Sequence, residues 1–333
     1  MKKWFLVILL VLLGCTEETE KLSTQDPIAE KVATNLNIPW SINLHKDTFY
    51  ISERTGTIAR IQDRSVVHEP VQLSDKLAAI SEAGLLGFVL KPDFEETGEA
   101  FAYYTYDMNE EPFNKVVTLK RQNGQWHEIA IHLEGIETGN IHHGGRLEIG
   151  PDGSLYVTVG DAGNPSNAQD PTLLNGKILR MKDDGAFEIF SLGHRNPQGL
   201  AWDEDGTLYE AEHGQSANDE INLVEQDNNY GYPTIEGDET EEGLETPIIT
   251  SGTNETWAPS GIAFHRDKLY IATLRGESIK VMNVETGEVE KSLTGFGRVR
   301  DVFSDGKSLY FITNNMDGRG TPNEEDDILY KLK

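Results

Sequence analysis

The chain has 333 residues, 29 Lys and Arg against 56 Asp and Glu, a formal net charge of −27 and one cysteine. So large an acidic excess argues against a nucleic-acid binder, whose phosphate contacts demand basic surface, and a single thiol excludes an intramolecular disulfide. It favours solubility and an affinity for divalent cations outside the cell.

Residues 1–15 read as a lipoprotein signal peptide. Lys2 and Lys3 precede an apolar run from Trp4 to Leu13 that is too short to span a bilayer. The run ends in Leu12-Leu13-Gly14-Cys15, which resembles a bacterial lipobox, so Cys15 is the expected lipidation site. The protein is then expected to be exported, and held by its lipid on the outer face of the bacterial cytoplasmic membrane or in the periplasm. Residues 16–27 are polar and aperiodic, a tether, and residues 28–333 read as one domain.

Within that domain a two-strand phrase recurs six times, at Trp40–Glu53, Leu85–Tyr106, Gly145–Asp161, Gln198–His213, Pro259–Leu274 and Arg298–Asn314. Each copy is an apolar strand, a polar turn and a second strand carrying a tyrosine: Tyr50, Tyr103, Tyr156, Tyr209, Tyr270 and Tyr310. The first four tyrosines are spaced by 53 residues each, and the last two gaps are 61 and 40. A period of this size built from short strands predicts an all-β fold, a six-bladed β-propeller with four-stranded antiparallel blades. The last repeat is short, so Ile28–Leu36 is expected to supply its missing strand and close the ring.

The residues just before each innermost strand share one phase of the repeat and are expected at one mouth of the channel. They include Ser81-Glu82, His142-His143-Gly144, His194-Arg195-Asn196, Trp257-Ala258-Pro259-Ser260 and Arg298-Val299-Arg300, with Arg275 close by. Arginines gathered in this way suit a small ligand with several carboxylates; the alternative is that each satisfies a neighbouring acid, as Arg300 with Asp301. His142 is the leading candidate for proton transfer, with His143 and His194 as competitors. The loop from Glu212 to Glu220, followed by Asn228–Pro233, offers carboxylate and carbonyl oxygens of the kind calcium prefers, without the spacing of an EF-hand.

The segments HHGGRLEIG (142–150), GHRNPQGL (193–200), DEIN (219–222), NYGYP (229–233) and RVRDV (298–302) occur together and in order. In this combination the chain resembles the soluble PQQ-dependent aldose sugar dehydrogenases, the glucose/sorbosone dehydrogenase family of six-bladed propellers. The resemblance implies oxidation of an aldose at C1 to the lactone, with PQQ taking the hydride and an external acceptor taking the electrons. It makes His142 the general base and Arg195 the residue that polarises the quinone oxygens. Asn196, Thr256, Arg275, Arg298 and Arg300 would hold PQQ with Arg195, and Glu82 stands where a glutamine commonly makes that contact. Gly214 and Gln215 would give carbonyl oxygens to one calcium; Glu220 and the Tyr230 carbonyl would serve a second. Gln215 replaces a proline, and Arg275 replaces a lysine of some members. A calcium-dependent lactonase and a non-catalytic carbohydrate-binding propeller are the alternatives on the same fold.

Overall fold

The computed structural model describes residues 28–333; the expected signal peptide, Cys15 and the tether lie outside the described residues. Strand β1 (Ala29–Ala33) comes first, and a meander of β2 (Pro39–His45), β3 (Thr48–Glu53), β4 (Thr57–Gln62) and β5 (Ser65–Gln72) follows. The next meander is β6 (Leu85–Leu90), β7 (Glu99–Met108), β8 (Glu111–Gln122) and β9 (Gln125–Glu137), with one turn of helix, α1 (Phe94–Thr97), between its first two strands. Strands β5 and β9 pair in parallel through Val71 with Trp126 and Gln72 with His127, so these eight strands form one sheet.

Three four-stranded antiparallel sheets continue the chain. The first is β10 (Gly144–Ile149), β11 (Leu155–Val159), β12 (Lys177–Met181) and β13 (Phe187–Leu192). The second is β14 (Pro197–Trp202), β15 (Leu208–Glu212), β16 (Glu220–Val224) and β17 (Ile249–Thr250). The third is β18 (Pro259–His265), β19 (Lys268–Thr273), β20 (Ser278–Asn283) and β21 (Glu288–Thr294). The last sheet joins both ends of the domain, β22 (Val299–Ser304), β23 (Leu309–Thr313) and β24 (Leu329–Leu332) being completed by β1.

Strands β2, β6, β10, β14, β18 and β22 pack against one another in sequence, and β22 returns to β2 to close the cycle. Their composition follows from that position. β6 reads Leu-Leu-Gly-Phe-Val-Leu and is buried on both faces for five of its six residues, as a strand covered on both sides must be. The outer strands β5 and β21 are mostly exposed and polar.

The recurring tyrosines all fall on the second strand of a meander, and four of them lay the ring against an aromatic of the next one. Tyr50 meets Trp126 at 6.0 Å, Tyr156 meets Trp202 at 5.1 Å and Tyr209 meets Phe264 at 4.9 Å between centroids. Tyr310 meets Phe49 at 4.8 Å and so joins the last sheet to the first. The Tyr103 hydroxyl instead donates to the His143 carbonyl, at 2.9 Å. For Tyr50, Tyr156 and Tyr209 the spacing is thus that of an aromatic contact from one meander to the next.

The closing strand is shorter than the expected Ile28–Leu36. It runs for five residues, pairing Ala29 with Leu332 and Lys31 with Tyr330. Asn35, with φ of 61°, then turns the chain away, and Leu36 exchanges backbone hydrogen bonds with Asp327. Ala33 and Leu36 share a core cluster with Ile42, Ile51, Ile312 and Leu329. Deleting residues 28–36 removes a strand ladder and several buried side chains, each worth about 2–5 kcal/mol for a leucine. At about 2–4 °C per kcal/mol, calorimetry is expected to show Tm falling by about 10 °C or more; an unchanged Tm would show that β24 does not need β1.

Candidate active site

The segments that lead into the inner strands open on one cavity of about 470 Å³. Glu82, His142, Arg195, Asn196, Thr256, Arg275 and Arg298 line it, with Gly214 and Gln215 on the same wall. Residues separated by more than two hundred positions thus meet: Glu82, His142, Arg195, Asn196 and Arg298 share the phase before an inner strand, and Gly214, Gln215 and Arg275 follow the second strand of a meander. Arg300 lies beneath, in a smaller void shared with Trp40, Gly144 and Gln198. Glu220 and Tyr230 do not line the cavity.

His142 sits immediately before β10 with φ of 62°, a left-handed conformation rare for a residue with a side chain. Its N–H donates to Glu82 Oε2 at 3.2 Å, and Gly160 packs so close that a Cβ there would lie 2.0 Å from the His142 carbonyl oxygen. Backbone strain held by its surroundings in this way fixes where the imidazole points. Its Nδ1 lies 2.7 Å from Oδ1 of the buried Asp161. A carboxylate only accepts, so Nδ1 carries a proton, and in the neutral ring it is Nε2 that holds the lone pair. The competitors are elsewhere engaged. His143 is buried between Thr138 and the Ser81 carbonyl, and burial pushes it down to about 4. His194 bonds Ser191 and faces Glu212.

Arg195 donates its backbone N–H to Glu212 Oε2 at 2.5 Å and its Nη1 to the His213 carbonyl at 3.1 Å. Asn196 is buried and accepts from the Gly144 N–H at 3.1 Å, tying the Arg195 segment to the His142 segment. Arg298 is held by Asp317 Oδ2, 2.7 Å from Nη2, and by the Leu274 carbonyl. Arg300 does not pair with Asp301, as its sequence neighbourhood proposed. Strand neighbours point to opposite faces, so Asp301 meets Arg146 at 3.2 Å while Arg300 reaches Gln198 Oε1 at 2.9 Å and Ser260 Oγ at 3.3 Å. Burial and the neighbouring Arg54 push the Arg300 guanidinium below its ordinary value.

Two of the carboxylates at the mouth, Glu82 and Asp219, are occupied, while Glu277 lines the cavity without an ion pair among the described residues. Burial opposes ionisation of Glu82, but Arg319, 2.7 Å away, and the His142 N–H together hold the carboxyl at about 2. Asp219 accepts from the backbone N–H groups of Gly214, Trp257 and Ala258 and so fixes the 214–215 loop against the Thr256 segment. Gly214 has no room for a side chain, since a Cβ would meet the Ala217 carbonyl oxygen at 2.0 Å. Glu220 accepts from the Gly237 N–H at 2.7 Å, and burial, with Glu212 nearby, raises it to about 8. The Tyr230 ring stacks on His194 at 4.9 Å.

The sequence profile of the Glucose / Sorbosone dehydrogenase family matches residues 36–329. The chain belongs to this family. Among relatives in the family, it is 31% identical over 271 residues to Quinoprotein glucose dehydrogenase B of Acinetobacter calcoaceticus, covering 68% of this chain but only 56% of that protein's length. It is 28% identical to Aldose sugar dehydrogenase YliI of Escherichia coli, over 87% of this chain and 90% of that one. The solved PQQ-bound form of Aldose Sugar Dehydrogenase from Streptomyces coelicolor superposes with a TM-score of 0.84 at 33% identity, covering 91% of this chain and 96% of that chain. The fold is thus the β-propeller of this family of sugar dehydrogenases.

The site also uses residues that sequence patterns did not single out. Asp161, which follows β11, is one; Glu212, already part of the acidic loop read from sequence, ends β15, and Glu53 ends β3 away from the cavity, so an acidic residue recurs at the outlet of the second strand. That recurrence is visible in the sequence. Arg319 and Asp317 are not so marked, because their loop belongs to the truncated last repeat. Arg319 sets a test. Glu82 titrates from 4.5 down to about 2 on folding, so its ion pair stabilises the fold above the higher value and ceases to as pH falls through the lower one. Arg319 is half exposed, which limits the effect to the order of 1 kcal/mol. Arg319→Gln is expected to lower Tm at neutral pH, by a gap that closes as pH falls from 4.5 to about 2. A gap that does not vary with pH would show that Arg319 does not hold Glu82 ionised.

Proposed function

We propose that this protein is a PQQ- and calcium-dependent dehydrogenase that oxidises aldoses at C1 to the lactone, on a propeller of six blades. The eight-stranded sheet counts as two blades, since β2–β5 and β6–β9 are each a full meander and both β2 and β6 belong to the inner cycle. One observation carries the functional reading. Around His142 and Asp161, buried polar atoms at the mouth lack partners: Arg195 Nε, Arg300 Nε, His213 Nε2 and Asp161 Oδ2. Buried donors are nearly always satisfied; Arg195 Nε and His213 Nε2 belong to residues of the cavity wall and Arg300 Nε to the void beneath it, an arrangement that calls for a polar ligand with acceptors. PQQ carries three carboxylates and quinone oxygens, and relatives of the chain are named quinoproteins and sugar dehydrogenases.

Arg195, Asn196, Thr256, Arg275, Arg298 and Arg300 would hold PQQ. Glu82 does not forbid it, because Arg319 already balances its charge. The carbonyls of Gly214 and Gln215 accept no hydrogen bond from the described residues, which leaves hard oxygen donors for a calcium ion at the same wall. Glu220 and the Tyr230 carbonyl would serve a second calcium. Bound in the cavity, PQQ would supply the acceptor for hydride leaving C1 of the sugar.

The chain's own residues do the rest. His142 Nε2 takes the C1 hydroxyl proton, and Asp161 holds the ring in the required tautomer and stabilises the imidazolium that forms. Arg195 places positive charge where negative charge develops. The partly buried His213, which burial pushes down to about 4, stays neutral and adds a donor without charge. An external acceptor completes each turnover. The calcium lactonase reading has less support, since Glu82 is taken by Arg319 and Asp219 by backbone N–H groups. Export with lipid attachment at Cys15 completes the proposal; among the described residues no helix is long and apolar enough to cross a membrane.

The test is dye reduction by the chain from Thr16 onward, loaded with calcium and PQQ and offered glucose and other aldoses. Turnover requiring both PQQ and sugar is expected, and His142→Ala should lower kcat about 100- to 10,000-fold while PQQ still binds. Full activity in that variant would remove the proposed base, and failure to bind PQQ at all would overturn the quinoprotein reading.

A further inference from the structure

We propose that His194, Glu210 and Glu212 form a binding site for a divalent transition cation of the zinc class, behind the wall that carries Arg195. One donor atom from each of the three lies within 4.8 Å of the others. Glu210 and Glu212 are two apart on β15 and therefore share a face, and His194 approaches that face from the segment that enters β14. All three are essentially inaccessible to solvent.

The hydrogen bonding leaves a gap that a cation would fill. His194 Nε2 is engaged by Ser191 Oγ at 2.9 Å. Its other nitrogen, Nδ1, faces Glu212 Oε1 at 3.3 Å and Glu210 Oε2 at 4.0 Å. Glu210 Oε1 is buried and has no partner at all. The Asn222 amide is shared between Glu210 Oε2 at 3.0 Å and Glu212 Oε1 at 3.3 Å. Among the described residues no lysine or arginine side chain forms an ion pair with either carboxylate; His194 is the only basic group near them. Two buried carboxylates with one amide and one imidazole between them call for further positive charge, from a shared proton or from a cation; the converging donor atoms favour the cation.

The donor set selects the class of cation. Calcium and magnesium take oxygen ligands, whereas one imidazole nitrogen with two carboxylates suits zinc, manganese or iron(II). The site shares no ligand with the calcium sites proposed above but adjoins one of them: Glu220, opposite Glu212, turns Oε1 to the Gly237 N–H, and the Tyr230 ring stacks on His194, while Gly214 and Gln215 line the cavity. A cation here would act on the cavity indirectly. Glu212 Oε2 receives the Arg195 N–H and His194 precedes Arg195, so one ion would clamp both supports of that arginine.

Cobalt(II), which gives visible d–d bands in zinc-type sites, is the probe. The chain from Thr16 onward, stripped of metal and then saturated with calcium, is titrated with cobalt and followed by absorbance, by metal content after gel filtration and by Tm. The expected result is one retained equivalent, a d–d spectrum and a raised Tm, with binding at least about tenfold weaker in Glu210→Gln. His194→Gln, which keeps a hydrogen-bonding side chain, should lose the imidazole-dependent spectrum. If the wild type retains no cobalt, or Glu210→Gln retains it equally, the proposal fails. So would a metal-free Glu210→Gln at least as stable as the wild type with cobalt, since a shared proton would then suffice. None of these readings uses PQQ or sugar, so they stand apart from the outcome of the dehydrogenase assay.

Discussion

Where six strands converge on one axis, the axis itself must be filled, and this protein fills it with charge. Arg146 on β10 sends Nε to the Gln198 carbonyl on β14 at 2.9 Å, Nη1 to Ser41 Oγ on β2 at 3.2 Å and Nη2 to Asp301 on β22 at 3.2 Å. Its guanidinium lies 4.3 Å from the Trp40 ring centroid. Asp301 in turn accepts from the Ile42 N–H at 2.8 Å and lies so close to β18 that a Cβ on Gly261 would overlap its carboxylate, at 1.6 Å. Five of the inner strands are thus referenced to one ion pair. A buried ion pair is weak evidence for net stability, and its part here is geometric: it sets how far each inner strand advances along the axis.

That setting decides what reaches the mouth. Each inner strand begins at a fixed height, so the residues just before it emerge together, and the cavity floor is the top of the same network. Arg300 belongs to both, bonded to Gln198 and Ser260 below and lining the void under the cavity. Its strand neighbours on either side of the pleat serve different ends: Asp301 locks the axis while Arg300 supplies cationic character to the floor. The mouth is consequently rigid. His142, Arg195 and Asn196 are cross-braced through Glu82, Glu212, Asp161 and the Gly144 N–H, which is the preorganisation that proton transfer and charge stabilisation need.

The repeat made most of this legible from sequence. Tyr50 and its counterparts marked the second strand of each meander, where four of the six contact an aromatic of the next meander, and the phase argument brought His142, Arg195, Asn196 and Arg298 to one cavity. Legibility ended where the period did. The parallel join of β5 to β9 arises from two residue pairs at the ends of outer strands and has no pattern of its own. Arg319 and Asp317 sit in the shortened final repeat, where no earlier copy predicts a position. The alternative of an Arg300–Asp301 pair could not be settled from sequence, because adjacency says nothing about which face of the strand a residue takes. The cluster of His194, Glu210 and Glu212 combines a residue from the loop phase with two from a strand phase, and only the fold brings these together.

A chain this acidic builds a cationic mouth by disposing of its carboxylates one at a time. Glu82 is neutralised from across the opening by Arg319, and Asp317 spends one oxygen on Arg298. Asp219 faces no cation and is satisfied by three backbone N–H groups instead. Asp161 gives one oxygen to His142 and to the Gly163 N–H, while the other has no partner. Arg195 and Arg275 meet no side-chain carboxylate within ion-pair distance among the described residues, and Glu277 on the same lining is also unpaired, so these two guanidinium groups outnumber the one free carboxylate. The field at the mouth therefore does not follow from the net charge of the chain, which has the opposite sign. It follows from which carboxylates the inner strands hold within reach of a donor, and that is fixed by the same axial ion pair.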